Sequence, residues 1–96
     1  IASLLEAIAR TLTLFGQINE AKKILSFTNG LEISPFFKSQ IYRCHFLIFY
    51  YQYIQNKRVD KQYLSNLFNT YSNKYMIYTR HFKQITRIMK KMQINL

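Results

Sequence analysis

Side chains that could perform acid–base, metal or nucleophilic chemistry are few and scattered in this sequence. The four acidic residues lie far apart, at Glu6, Glu20, Glu32 and Asp60. Cys44 and His45 are neighbours, but successive residues of a helix point about 100° apart, so they make no thiol–imidazole pair. Neither Cys44 nor the two histidines, His45 and His81, form a metal-ligand pattern. With no close pair of carboxylates either, the sequence predicts a protein that is not an enzyme and holds no metal or cofactor.

Basic side chains are the charged groups that this sequence has in excess. The formal net charge is +10 at pH 7. Residues 1–34 carry as many acids as bases, so the whole excess lies in residues 35–96. Such asymmetry indicates an acidic partner, which could be nucleic acid, an anionic surface or an acidic segment of the same protein. A general bias of the composition toward Lys, Asn, Ile and Tyr explains the charge equally well.

The last predicted helix, from about 75 to 93, gathers many of these cations on one face. At 100° per residue, its apolar side chains share one face: Tyr78, Phe82, Ile85, Met89 and Met92. Its basic side chains lie on the opposite face: Arg80, Lys83, Arg87, Lys90 and Lys91. This face predicts contact with phosphates or with an acidic protein surface. The alternative is a terminal capping helix whose outer face is basic for no functional reason.

A long apolar stretch from 36 to 55 must support the other elements. No Gly or Pro interrupts it, and it is too long for an ordinary strand, so we predict one central helix buried on several sides. Phe49 is predicted to be one of its largest contributors to stability. The apolar run is shorter than the roughly 20 residues that a membrane span needs. Cys44 is predicted to be a buried thiol, which fits an intracellular protein.

The residues before the central helix predict an antiparallel helix pair. The first helix has an apolar stripe at helical spacing: Ile1, Leu5, Ile8, Leu12 and Phe15. Gly16 ends it, and a second apolar set follows at once: Ile18, Ala21, Leu25 and Thr28. Two helices joined by so short a turn pack antiparallel. Asn29 and Gly30 are predicted to close the second helix.

Local capping signals set the remaining boundaries. Ser34 and Pro35 predict the start of the central helix, and Asp60 predicts the start of a fourth helix over 61–72. Ser72 and Asn73 are predicted to stop that helix. Its predicted buried side chains are Tyr63, Leu64, Leu67, Phe68 and Tyr71. The prediction is therefore an all-α protein of about five helices in antiparallel pairs, forming one domain over 1–96. Because the chain starts inside a helix without Met, we expect a C-terminal fragment of a longer protein.

The helix pairs resemble those of tetratricopeptide-like repeats. The turn from Gly16 to Leu25 places a hydrophobic residue two positions after the glycine and a small residue five positions after it. The whole chain is similar to the C-terminal part of the Rgg/GadR/MutR transcription regulators of Gram-positive bacteria. The similarity is carried by four segments: Leu14 to Ala21, His45 to Tyr53, Leu67–Phe68, and the last helix with Tyr78, Phe82 and Ile85.

This resemblance implies a right-handed tetratricopeptide-like array with a C-terminal capping helix. It also implies a cytoplasmic homodimer that binds a short signalling peptide in quorum sensing. DNA would be bound by an N-terminal helix-turn-helix domain that lies outside this sequence.

Two binding hypotheses follow. In the first, the inner faces of helices 1, 3 and 5 hold a short apolar peptide, and the candidate peptide-binding side chains are Arg10, Arg43, Tyr50 and Tyr53. Core packing of the tyrosines is the simpler explanation of those two residues. In the second, a stand-alone basic helical protein contacts nucleic acid through the last helix, with Arg80, Lys83, Arg87, Lys90 and Lys91 on phosphates.

Overall fold

The computed structural model describes residues 1–95, and every regular element in that range is an α-helix. The helices are α1 (Ala2–Leu14), α2 (Ile18–Ser26), α3 (Pro35–Ile54), α4 (Lys61–Tyr75) and α5 (Thr79–Lys91). Leu96, the last residue of the predicted domain, lies outside the described residues. The all-α prediction with five helices is therefore confirmed, whereas the right-handed tetratricopeptide-like array stays a prediction.

The predicted helix starts at Ser34 and Asp60 are confirmed by their capping hydrogen bonds. Ser34 Oγ accepts from the backbone N–H of Phe37 at 3.4 Å, and Pro35 occupies the first helical position of α3. The carboxylate of Asp60 accepts from the N–H of Tyr63 at 3.0 Å. Each side chain satisfies an N–H group that the helix itself leaves unpaired. Both starts are consequently encoded within a single turn of chain.

The predicted stop of the fourth helix at Ser72 and Asn73 is wrong. Helix α4 continues to Tyr75, and Ser72 Oγ donates within it to the carbonyl of Phe68 at 2.8 Å. The rings of Tyr71 and Tyr75 lie 5.4 and 5.5 Å from the ring of Tyr42 on α3. This contact extends the helix because tertiary burial outweighs weak local stop signals. The last helix correspondingly begins at Thr79 rather than at 75, and it ends at Lys91.

The predicted apolar stripe of the first helix is also wrong in part. Ile1 and Phe15 are 87% and 79% exposed, whereas Ala9 is fully buried. The other buried side chains of α1 are Glu6 and Thr13, and Thr13 Oγ1 donates to the carbonyl of Ala9 at 2.8 Å. A small residue lets neighbouring helices come close, which explains why this face is buried in preference to the more apolar one. In α2 and the turn that follows it, by contrast, the predicted set is confirmed, since all four residues are buried: Ile18, Ala21, Leu25 and Thr28.

Helix α3 lies at the centre of the fold and packs against each of the other four helices. Phe46 faces a buried cluster that includes Leu64 and Ile85, while Cys44 and Ile48 face a second cluster with α1 and α2. The central position predicted for this helix is confirmed. Phe49 is only partly buried, so α3 does present some of its surface to solvent. None of the helices in residues 1–95 has the length and hydropathy of a membrane span.

Candidate functional site

A groove between α1, α3 and α5 is the strongest candidate for a functional site. It consists of two depressions, of about 320 and about 530 Å³, and Arg10 and Arg43 line both of them. Arg10 comes from the third turn of α1 and Arg43 from the middle of α3. We call this continuous surface the cationic groove, because five basic side chains line it: Arg10, Arg43, Arg80, Arg87 and Lys91.

Each depression also has an apolar wall. Cys44, Leu47 and Ile88 contribute to the smaller depression, beside Arg87 and Lys91. In the larger one, the corresponding side chains are Phe36, Ile77 and Tyr78, beside Arg80. Phe36 and Ile77 are 47% and 77% exposed. The two guanidinium groups of Arg10 and Arg43 are therefore flanked by apolar surface on both sides.

A single buried carboxylate supports Arg10. Glu6 is 1% exposed, and its Oε1 lies 3.5 Å from Arg10 Nε, one turn further along the helix. Its Oε2 accepts a hydrogen bond of 2.9 Å from Gln40 Nε2 on α3. Oε1 has no hydrogen-bond partner, so the Arg10 contact is an ion pair without a hydrogen bond. It is the only ion pair among residues 1–95, so no acidic residue in that range pairs with the other cations of the groove.

Arg43 is held from the other side of the groove. Its Nη1 donates to Gln84 Oε1 on α5 at 2.7 Å. Burial lowers the pKa of Arg43, and the positive charges of Arg10 and Arg80 lower it further, while Glu6 acts in the opposite direction. A guanidinium nevertheless stays protonated in proteins. The groove thus holds half-buried positive charge that an anion would stabilise.

The structure brings together some of the predicted binding residues and separates others. Arg10 and Arg43 lie in one groove, as the peptide hypothesis requires. Tyr50 and Tyr53 do not line either depression, and both pack against the buried cluster around Phe46. Tyr50 borders the groove only through Lys91, whose Nζ lies 5.6 Å from the centre of its ring. A cation held over an aromatic face in this way is stabilised by the ring electrons.

The predicted basic face of the last helix is divided in two. Arg80, Arg87 and Lys91 line the cationic groove. Lys83 and Lys90 are exposed on the same helix but lie outside that lining. These two residues are therefore cations on the same helix that can serve as matched controls for groove residues.

A buried polar cluster escaped the sequence-based prediction. Ser39 Oγ lies 2.9 Å from Tyr71 Oη and 2.9 Å from His81 Nδ1, linking α3, α4 and α5. The exposed fractions of the three residues are 0%, 0% and 4%. Ser39 occurs three and seven residues before Tyr42 and Phe46, a helical spacing that could have placed it on the buried face.

This cluster is unsuited to nucleophilic catalysis. A serine beside an imidazole has the required distance, but Ser39 is fully buried and its hydroxyl is already bonded to Tyr71. A nucleophile must be reachable by the atom that it attacks. The thiol of Cys44 is equally unsuited, because burial raises its pKa to about 12 and keeps it protonated at neutral pH. The buried thiol predicted at this position is confirmed.

We expect His81 to make the protein less stable as the pH falls below about 6.5. Burial lowers the pKa of His81 from its ordinary value of 6.5, and Arg43 and Arg80 lower it further. The unfolded chain therefore binds a proton at a higher pH than the folded protein does. The contribution of neutral His81 to the unfolding free energy is complete above pH 6.5 and is lost as the pH falls toward the pKa of His81 in the folded protein.

Urea unfolding at about pH 7.5 and about pH 5 would measure this effect. His81→Asn should flatten the pH dependence. Burial also lowers the pKa of His45, so His45→Asn is the matched variant and should remove a separate part of the same trend. An unchanged pH dependence in the double variant would contradict both assignments.

Apart from the cationic groove, a third depression, of about 530 Å³, lies between the loop after α2 and helices α3 and α4. Lys38 is its only Lys or Arg side chain, and it contains His45, which burial keeps in the neutral form near pH 7. It therefore lacks the concentration of charge that distinguishes the cationic groove.

Within the part of the chain that the structure describes, no three His, Cys, Asp or Glu side chains come together as metal ligands. We found no match to this chain among models of protein families, curated proteins or solved structures. The resemblance to Rgg/GadR/MutR regulators accordingly stays a prediction, and the groove has to be interpreted from its own chemistry.

Proposed function

We propose that this chain is the non-catalytic, ligand-binding and dimerising part of a peptide-responsive transcription regulator, and that a short peptide binds in the cationic groove. One observation carries the proposal. Arg10 and Arg43, which stand on different helices, line both depressions of the same groove. The regulator would be a cytoplasmic homodimer and would bind DNA through a separate N-terminal domain.

The shape and chemistry of the groove support a peptide. A binding site usually combines apolar walls with a few polar groups that fix the orientation of the ligand. Here the apolar walls lie on either side of the guanidinium groups, and α3 supplies part of both. Arrays of helix pairs commonly use such inner surfaces to hold extended segments.

Selection from a displayed library of random nonapeptides would test this function. We expect the protein to enrich peptides that bind at least tenfold more weakly to the Arg43→Gln variant, because that change removes a half-buried donor from the groove. Lys83→Gln is the matched control, since it removes the same charge outside the groove lining, and it should bind the peptides as the original chain does. Peptides that bind the Arg43→Gln variant equally well would place the site elsewhere.

Nucleic-acid contact is the second candidate, and the charge of α5 favours it. This helix carries five exposed basic residues and no acid: Arg80, Lys83, Arg87, Lys90 and Lys91. Phosphate contacts of this kind make affinity fall steeply with salt. The affinity of the protein for a mixed-sequence oligonucleotide, measured at several salt concentrations, would test this function. An affinity that falls with salt and is lost on reversing the charges of Arg80, Lys83 and Lys90 would favour it. An affinity unchanged by the reversal would remove it.

A further inference from the structure

We propose that the ligand of the cationic groove is an acidic peptide, in which an internal Asp or Glu carboxylate binds between Arg10 and Arg43 and apolar side chains lie on both sides of it. This inference rests on the function proposed above and specifies the chemistry of the peptide. It also assigns Glu6 as a positioning residue that acts through Arg10.

The charge balance of the groove is the first argument. Five cations line it, and the one carboxylate beside them, Glu6, is buried and already engaged by Gln40 and Arg10. The other three acids are exposed and are absent from the lining: Glu20, Glu32 and Asp60. Holding like charges close together, two of them on partly buried side chains, costs free energy, which an anionic ligand would recover. The ligand should therefore bring negative charge to the two depressions.

The positions of the two guanidinium groups are the second argument. Glu6 contacts Arg10 at Nε, and the two Nη groups of Arg10 make no hydrogen bond to any residue in 1–95. Gln84 engages only Nη1 of Arg43. Both side chains thus keep N–H donors that no residue in 1–95 engages, while Arg10 is paired with Glu6 and Arg43 is hydrogen-bonded to Gln84. Guanidinium groups held in this way match the planar, two-oxygen geometry of a carboxylate.

The burial of Glu6 is the third argument. An ionised carboxylate at 1% exposure is expensive unless its partners compensate it, yet Oε1 has an ion pair and no hydrogen bond. This imperfect arrangement is poor as a stabilising contact. It is well suited to holding Arg10 beside a carboxylate whose other oxygen is fixed by Gln40, while Arg10 lines both depressions. The cost of orienting Arg10 is then met on folding rather than on binding.

The apolar walls decide where the carboxylate lies in the peptide. The smaller depression offers Leu47 and Ile88, and the larger one offers Phe36 and Ile77. A carboxylate at the very end of a peptide would leave one of these depressions empty. An internal acidic residue with apolar neighbours fills both, so the Asp or Glu side chain is the source that the geometry favours.

Peptides enriched from the nonapeptide library test the carboxylate directly. We expect an internal Asp or Glu in them, and exchange of that residue for Asn or Gln should weaken binding at least tenfold, the effect of losing one charge-assisted contact. The same exchange in the peptide should change the affinity little for the protein variant that carries both Arg10→Gln and Arg43→Gln. For the Lys83→Gln variant, it should weaken binding as much as it does for the original chain. Amidating the C-terminus should leave the affinity unchanged. Enriched peptides without an acid, or affinity lost on amidation, would overturn the proposal.

Glu6→Gln tests the positioning role of Glu6, because a change in overall charge alone would have the opposite effect on the binding of an acidic peptide. It raises the net charge of +10 by one, and Glu20→Gln, at an exposed position of α2, does the same. If only the overall charge mattered, both variants would bind an acidic peptide slightly more tightly. A positioning role predicts instead that Glu6→Gln alone reduces the preference for the Glu peptide over its Gln counterpart, by about tenfold.

This preference is a ratio of two affinities measured on the same folded protein, so a general loss of stability does not change it. Equal ratios for the Glu6→Gln and Glu20→Gln variants would overturn the role of Glu6. Peptides that bind in the groove with no preference for an acid would contradict this inference and leave the proposed function standing. Failure to enrich any peptide would contradict both.

Discussion

Replacing Phe46 by alanine is expected to lower the free energy of unfolding by about 3 to 5 kcal/mol. Phe46 is fully buried at the centre of α3. Its ring meets Phe68 edge to face at 6.4 Å and Tyr71 at 6.3 Å, both on α4. The same cluster contains Ile85 and Met89 of α5. Removing the ring therefore leaves a cavity between three helices, which can close only if those helices move. The expected loss is large because the total stability of a small domain is only about 5 to 15 kcal/mol.

Phe49→Ala is the matched control for this change. The sequence pattern predicts Phe49 as a main contributor, but the structure leaves it only partly buried, beside the half-exposed Tyr63. We expect it to cost clearly less than Phe46→Ala in thermal or urea unfolding. A loss under about 1 kcal/mol for Phe46→Ala, or a larger loss for Phe49→Ala, would mean that α3 is rotated from the position described.

Ser39→Ala is expected to have the next largest effect. The hydroxyl of Ser39 is the shared partner of Tyr71 Oη and His81 Nδ1, each at 2.9 Å. Its removal leaves two buried polar groups unpaired, and each such group costs about 1 to 3 kcal/mol. The combined loss should therefore be about 2 to 5 kcal/mol, although the side chain itself is among the smallest in the core.

Tyr71→Phe distinguishes this mechanism from a simple loss of volume. It removes one hydroxyl but keeps the buried ring and the contact between Ser39 and His81, so it should cost less than Ser39→Ala. When Tyr71→Phe is already present, Ser39→Ala should lower the free energy of unfolding by less than it does alone. One of the two buried groups that Ser39→Ala leaves unpaired, the Tyr71 hydroxyl, is then absent. Strictly additive losses in urea unfolding would show that the three side chains do not act as one cluster.

Local signals account for the parts of the fold that were predicted correctly. The caps at Ser34 and Asp60 act within one turn, and the turn at Gly16 needs a backbone φ of +79°, which glycine adopts without strain. The buried set of α2 follows from helical spacing alone. Helix class, helix number and the starts of α3 and α4 can be inferred in this way because each depends on residues close together in the chain.

The structure differs from the sequence-based prediction where two faces of a helix are nearly equivalent and where tertiary burial extends a helix past local stop signals. In α1, spacing favoured Ile1 and Phe15, but the buried face contains Ala9 and Glu6. Helix α4 extends to Tyr75, past the predicted stop, because burial of Tyr75 against Tyr42 outweighs the polar residues before it. Periodicity identifies an amphipathic helix, but it does not say which neighbouring helix will be close enough to bury a small residue.

The candidate site also combines features that the sequence shows with features that only the tertiary structure shows. The basic face of the last helix and the excess of positive charge after residue 34 were visible in the sequence alone. Only the tertiary structure joined Arg10 and Arg43 to that face, buried Glu6 beside Arg10, and packed Tyr53 against the buried cluster around Phe46 and not in the groove. Sequence by itself determined that this is a basic, all-helical protein with a long central helix, because composition and periodicity are local properties. The groove was decided by tertiary structure, because its cations come from three helices that converge only when α3 is packed between the others.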